Sequence, residues 1–290
     1  EDACSRGKFD EPVNIMGLKR FVADWAYNHR EELPNLRDKS IVGTPFAHRP
    51  APTGKRIAVI GAGPAGLTAA LDLVRLGHSV SVFDQLPVAG GMMRVGIPPH
   101  RLPTELLDWE VQQILAEGVD LRLRTRIDDV PGLLTRDNPS GAPFDAALIA
   151  TGAHQAKKLP IRNSNHPDNW LSLDLLRRVD LGEPVDLRGV RVAVLGGGNV
   201  ALDTSRTVLR LGASEVRMAC LEPRGEMPGF AWEVGVAEEE GVKVCPGRTF
   251  KEIVVKDDRI IGVRCAEVIF RGFKRGRPDI EEIPGTEHIL

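Results

Sequence analysis

Three short glycine clusters hold most of the chemistry legible in this sequence. Gly61-Ala62-Gly63-Pro64-Ala65-Gly66 is a G-x-G-x-x-G that follows the apolar run 56–60 and opens an apolar helical pattern. Gly61 permits a tight turn, Gly63 lets backbone approach a pyrophosphate, and Gly66 lets helix and strand pack closely. Pro64 suits a first helical turn, where its missing N–H is not needed. The helix start offers N–H groups and the positive end of its dipole to phosphate. Asp84, 23 residues after Gly61, closes the next strand pattern, where an acid accepts hydrogen bonds from a ribose diol. Gly196-Gly197-Gly198-Asn199-Val200-Ala201 is a G-x-G-x-x-A with the same logic, after the run 191–195 and before a helix through Leu211. Gly90-Gly91-Met92-Met93, followed by Arg94 and the proline-rich run 96–103, reads either as a loop or as backbone laid against a flat cofactor.

Positioning these clusters takes two copies of one supersecondary unit. Residues 54–85 and 189–222 each read as apolar strand, glycine turn, apolar helix, glycine stop and second strand; Gly61 maps to Gly196 and Gly77 to Gly212 at an offset of 135. That is a βαβ unit of about 30 residues, twice. The expected fold is therefore α/β, with two Rossmann-like dinucleotide-binding domains preceded by a short helical segment. Residues 1–53 are expected to form that helical segment and a linker, with an amphipathic helix over 11–30 carrying Ile15, Leu18, Val22 and Trp25 on one face and a linker or extended arm over 33–54. Residues 54–155 form the first nucleotide domain, 156–185 a connection, and 186–290 the second domain with a β-meander. Within these, 104–117 reads as a helix, 119–127 as a half-exposed strand and 144–152 as a buried strand. Residues 250–255, 260–270 and 280–289 read as meander strands with turns at Asp257-Asp258 and Arg275-Gly276.

Composition removes several functional classes. The 290 residues are 42% hydrophobic and 27% charged, with a net charge of −2, so no basic excess points to nucleic acid or to an anionic membrane. No apolar run is long enough to span a bilayer, and a cytoplasmic protein is expected. Cys4, Cys220, Cys245 and Cys265 form no C-x-x-C, which argues against a zinc ribbon or a redox dithiol. None of the seven histidines clusters with a serine or cysteine nucleophile. Two dinucleotide sites in one chain suggest a flavin and a nicotinamide that exchange a hydride, with placement as the task of the protein.

The strings EPVNI (11–15), VIGAGPAGL, GGMMRVGIPPHRLP, ATG, GGGNVALD and EMPG (226–229) resemble the small (β) subunit of glutamate synthase and its relatives, from residue 4 to the end. The resemblance implies FAD in the first domain, near Ala65, Asp84, Gln85, Gly91, Met92, Thr151 and Gly152, with Ile127 contacting the adenine end through its backbone and Arg101 near the isoalloxazine. It implies NADH or NADPH in the second, and a larger catalytic or electron-accepting partner subunit. It also makes Cys4 a remnant ligand of a [4Fe–4S] site that would form only with upstream sequence; clusters use about four thiolates. Relatives that use NADPH carry an aromatic and an Arg-Arg pair where this chain has Cys220-Leu221-Glu222, so NADH is expected to be preferred, with Arg224 as the residue that could restore NADPH binding. The chain starts at Glu1 and stops before the family's return to the flavin domain, so it is expected to be truncated, with weak flavin retention and slow turnover alone. The rival readings are a thioredoxin-reductase-like disulfide reductase and a non-catalytic FAD-binding fragment.

Overall fold

The computed structural model describes residues 3–32, 50–135 and 142–290. Of the linker expected at 33–54, residues 33–49 lie outside these residues. The chain divides into two compact units, one of Glu1–Gly91 with Leu102–Gly152 and one of Met92–Arg101 with Ala153–Leu290.

In the first unit, helix α1 (Ile15–Asn28) starts where Asn14 Oδ1 accepts a hydrogen bond from the Gly17 N–H at 2.7 Å, which pairs one of the helix's open donors. Its apolar face is not covered by the described residues: Leu18 is 57% and Val22 61% exposed. Tyr27, at the far end, sets its ring edge-to-face on Trp109 at 5.9 Å. Strands β1 (Arg56–Ile60) and β2 (Ser79–Phe83) flank helix α2 (Pro64–Arg75). Helix α3 (Met92–Val95) follows in the chain but belongs to the second unit. Helix α4 (Thr104–Ala116) buries Leu106, Leu107 and Val111 as its pattern predicts. Strand β3 (Asp120–Arg122), helix α5 (Val130–Leu133) and strand β4 (Ala146–Ile149) complete a parallel sheet in the order β3-β2-β1-β4.

Two expectations are corrected here. The strand expected over 119–127 stops at Arg122. Beyond it Arg124 turns to φ 52, and the N–H groups of Arg124 and Thr125 donate to the carbonyls of Leu86 and Asp84. Those donors serve the loop after β2 rather than a longer ladder. The strand expected to be buried, β4, is, among the described residues, the outer strand of its sheet and pairs there only with β1, so Ile149 is 62% exposed. Only Ala147 of that strand packs on the core of Ala58, Ile60, Phe83, Leu133 and Phe144.

In the second unit, helix α6 (Ser172–Asp180) precedes strand β5 (Arg191–Leu195), helix α7 (Asn199–Arg210), strand β6 (Glu215–Ala219), helix α8 (Ala231–Glu239) and strand β7 (Lys243–Cys245). The parallel order is β5-β6-β7. Val194, Leu202, Val208, Val216, Met218 and Val234 form its core. Strands β8 (Arg248–Lys256), β9 (Arg259–Lys274), β10 (Arg277–Glu282) and β11 (His288–Ile289) form the antiparallel meander. Asp257, Asp258 and Arg275 take positive φ at the turns that their sequence marks. The strand expected over 280–289 is split in two, because Pro284 and Gly285 (φ 78) interrupt the ladder.

Candidate functional site

The first glycine turn is built by close backbone approaches. A Cβ on Gly61 (φ 113) would lie 2.3 Å from the Ala150 carbonyl oxygen, and one on Gly66 would lie 1.9 Å from the Gly61 carbonyl oxygen. Those two glycines are required by the protein itself. Gly63 is different: a Cβ there would meet only the Gly91 Cα, at 3.7 Å. The space in front of Gly63 is open, at the end of α2 where helix N–H groups lack intrahelical partners. Pro64 and Ala65 are exposed beside it, and Ala62 is buried. The second glycine cluster docks here: the Gly90 N–H donates to the Ala62 carbonyl at 2.8 Å, and Gly91 (φ 56) stands so close that a Cβ would lie 2.7 Å from Gly63 Cα. The loop at 90–91 therefore walls the turn.

Asp84 fastens that turn. Its Oδ2 accepts from the Ala62 N–H at 2.7 Å and its Oδ1 from the Leu86 N–H at 2.8 Å. Each oxygen keeps a further lone pair for a ribose hydroxyl. Gln85 Oε1 accepts from Arg126 Nη1 at 3.0 Å. The Ile127 side chain packs on the core. Thr151 and Gly152 (φ 64) follow β4 and are exposed. An open glycine cradle, a helix start and an acid at the strand end together fit an adenine dinucleotide.

The second turn repeats the backbone with different surroundings. The Gly196 N–H donates to the Ala219 carbonyl just as Gly61 donates to Phe83, both at 2.8 Å. The residue after each strand is then Asp84 in one copy and Cys220 in the other. A Cβ on Gly197 would lie 3.0 Å from Cys220 Sγ and 3.5 Å from Glu222 Oε2, so Glu222 brings its carboxylate to the turn from two residues further on. Gly198 is open, with only Pro228 Cγ at 3.9 Å from its would-be Cβ, and a Cβ on Gly196 would meet only Ala201 Cβ at 3.7 Å. The segment 226–229 lies across the turn: the Gly229 N–H donates to the Gly197 carbonyl at 2.9 Å, and the Phe230 N–H to Asn199 Oδ1 at 3.0 Å. Val200 is exposed and Ala201 buried on α7. These residues too fit a dinucleotide. Arg224 is engaged elsewhere, its Nη2 donating to Glu238 Oε2 at 2.5 Å.

Arg101 belongs to the second unit. Its Nη1 donates to both Asp203 oxygens at 2.6 and 2.8 Å, and its Nη2 lies 3.3 Å from Glu233 Oε1. Asp203 and Glu233 are buried, and burial pushes both carboxyls above their ordinary range while Arg101 opposes the rise. Asp180 is pushed up to about 7, by burial first and then by the charge of Asp203, against Arg94. His100 is pushed down to about 4, by burial and then by Arg210 and Arg206. Glu240 falls well below the carboxylate range because Arg210 and Arg206 both donate to it. Composition and spacing alone do not find Asp203 and Glu233. The one signal was that both lie in or beside quoted strings, GGGNVALD and EMPG.

All four cysteines are free thiols. Burial pushes Cys220 and Cys265 up to about 11, which keeps them protonated and poor as nucleophiles. Cys4 precedes a short 3₁₀ turn (Ser5–Lys8), and backbone N–H groups, that of Val13 foremost, lower its thiol. Among the described residues no group of three or more His, Cys, Asp or Glu is arranged to hold a metal. Cys4 alone does not fit a cluster that needs several thiolates. Among the described residues no helix is long and apolar enough to cross a membrane.

The sequence profile of the pyridine nucleotide-disulphide oxidoreductase family matches residues 55–269. The β subunit of an NADP(+)-dependent formate dehydrogenase from Moorella thermoacetica is 38% identical over 100% of this chain and 42% of its own length. The small chain of glutamate synthase [NADPH] from Escherichia coli is 32% identical over 100% of this chain and 61% of its own. The chain thus spans less than two thirds of either relative. FprA from Mycobacterium tuberculosis shares the fold, with a TM-score of 0.67 at 17% identity over 82% of this chain and 69% of that one. With the family profile matching residues 55–269, the chain belongs to the pyridine nucleotide-disulphide oxidoreductases.

Proposed function

We propose that the chain is an electron-input module that holds FAD on the first turn and NADH or NADPH on the second, and delivers electrons to a larger partner subunit. When bound, the two cofactors supply hydride transfer from nicotinamide C4 to flavin N5. The chain contributes binding and orientation. Gly63 and the start of α2 receive one pyrophosphate, with Asp84 turned to the ribose and the Gly90-Gly91 wall beside it. Gly198 and the start of α7 receive the other, under the 226–229 strap. One observation supports the reading: Gly63 and Gly198, each directly before the start of a helix, have nothing closer than 3.7 Å and 3.9 Å to a would-be Cβ, while Gly61, Gly66 and Gly197 are packed against backbone or side chains. The matched relatives named as a β subunit and a small chain support a larger partner.

The nucleotide choice in this reading is NADH. The Glu222 carboxylate stands beside the turn and would repel a 2′-phosphate, and Arg224, the residue that could neutralise it, is engaged by Glu238. Both matched relatives are named for NADP(H), so the assay compares opposed expectations. A disulfide-reductase reading has no support from the buried, high-pKa thiols of Cys220 and Cys265. The test is anaerobic mixing of the FAD-loaded protein with each nucleotide. Bleaching of the flavin, faster and at lower concentration with NADH, is the expected result. A flavin that stays oxidised would leave only a binding role, and an NADPH preference would remove Glu222 from the site.

A further inference from the structure

The ten residues Met92–Arg101 are flanked on both sides by the first unit but pack with the second. Their first neighbour in the chain, Gly91, stands against Gly63 of the first turn. Their last residue, Arg101, is ion-paired to Asp203 on α7 and to Glu233 on α8. Both of those helices are built on the second turn. Helix α7 starts from Gly198, and Asp203 is its fifth residue. Helix α8 starts just after Gly229 and Phe230, whose N–H groups are spent on Gly197 and Asn199 of that turn. The segment is fixed along its length as well: α3 packs on α6, Val95 and Pro98 are fully buried, and Arg94 faces the carboxyl of Asp180 at the end of α6.

We propose that Asp203 and Glu233 are positioning residues that act through Arg101, holding Met92–Arg101 to the helices of the second turn so that loading of that turn tightens the Gly90-Gly91 wall of the first. The clamp is costly to leave incomplete. Asp203 and Glu233 are 4% and 1% exposed and share one guanidinium, and a buried carboxylate that loses its counter-ion is destabilising. Such a site changes with the position of α7 and α8, because a buried ion pair tolerates little drift in geometry. The flavin half of the coupling rests on the FAD reading above; the clamp itself does not.

The test is hydrogen exchange of the 92–101 amides, Val95 and Arg101 above all, combined with FAD titration, each with and without saturating NAD⁺ or NADP⁺. The wild type is compared with Asp203→Asn, Asp203→Glu and Glu233→Gln. In the wild type the nucleotide is expected to slow exchange in 92–101 and to lower the FAD dissociation constant. In Asp203→Asn the segment should exchange at least about tenfold faster, both nucleotide effects should vanish, and Asp203→Glu should restore part of each. A simple packing role would loosen the segment without removing the nucleotide dependence. Glu233→Gln, with a near-isosteric side chain, provides the same comparison if Asp203→Asn fails to fold. Wild-type exchange in both variants would overturn the clamp, and a nucleotide-dependent FAD affinity that survives in Asp203→Asn would overturn the coupling. A wild-type protein that binds no FAD would overturn the flavin reading alone, and the exchange data would still decide the clamp.

Discussion

Helices α2 and α7 follow equivalent glycine turns, yet they bury different things. Helix α2 buries Gly66, Leu67, Ala70 and Val74, all apolar. Helix α7 buries every residue from Ala201 to Val208, including Asp203, Thr204, Ser205, Arg206 and Thr207. The first lies on its sheet with one face to solvent, as an apolar stripe requires. The second is held between α6 and α8, so side chains that α2 would give to water are enclosed and need partners. The same contrast runs through the strand ends, where Asp84 ties the first turn together by hydrogen bonds and the buried thiol of Cys220 fills the matching place in the second. One backbone plan thus serves two ends: a mostly apolar cradle, and a cradle whose helices carry a network of ions.

The largest effects should come from the glycines. Gly61→Val drives a side chain into the Ala150 carbonyl at a positive φ and should cost more than about 4 kcal/mol, enough to unfold the first unit in a urea melt. Gly63→Val and Gly198→Val should melt within about 1 kcal/mol of the wild type while losing FAD and the nicotinamide nucleotide respectively. A flavin-loaded Gly63→Val protein would remove the first turn from the site.

Next is the ionic contrast itself. Asp203→Ala should cost about 3 kcal/mol, because Arg101 loses the two charge-assisted hydrogen bonds that it donates to a buried carboxylate. The matching substitution on α2 is Thr68→Ala, at an exposed position, and should stay within about 0.5 kcal/mol. Equal losses in the two would erase the distinction between the helices.

The pH dependence sharpens it further. Asp180, at about 7 in the folded state against 3.8 ordinarily, binds its proton more tightly when folded, so its contribution makes stability fall as pH rises from about 4 to about 7. His100, at about 4 against 6.5, binds its proton more weakly when folded, so its contribution makes stability rise from about pH 4 to about 6.5. The two oppose each other in one window of the second unit. Melts across that window should show stability rising more steeply with pH in Asp180→Asn and falling with pH in His100→Gln; parallel profiles for the two variants would refute the assignment.

The smallest expected change is in nucleotide choice. Glu222→Arg should shift the NADH-to-NADPH ratio by about tenfold toward NADPH, equivalent to about 1.4 kcal/mol. No shift in flavin reduction rates with either nucleotide would take Glu222 out of the ribose pocket.

What the sequence disclosed in advance was local. The glycine turns, α4 and the meander turns at Asp257-Asp258 and Arg275-Gly276 each follow from residues that need a given φ or a given apolar period. What it concealed was set by distance in the chain. Arg101 and Asp203 are 102 positions apart, and nothing in either neighbourhood announces the pair. The split of the 280–289 strand was legible from Pro284-Gly285, whereas the early end of β3 was not, because its N–H groups leave for the loop after β2. The apolar face of α1 follows from the spacing of Ile15, Leu18, Val22 and Trp25. Its exposure depends on what lies against it, which periodicity does not encode.

The central claim is that the two turns hold two different cofactors that exchange electrons. Its most direct test is anaerobic titration of the protein, reconstituted with FAD, by NADH and by NADPH, followed through the flavin absorbance, with Gly63→Val and Gly198→Val alongside. The account predicts one flavin per chain, full bleaching in the wild type, no bound flavin in Gly63→Val, and in Gly198→Val a bound flavin that stays oxidised. Flavin retained by Gly63→Val, or bleached in Gly198→Val as readily as in the wild type, would contradict it.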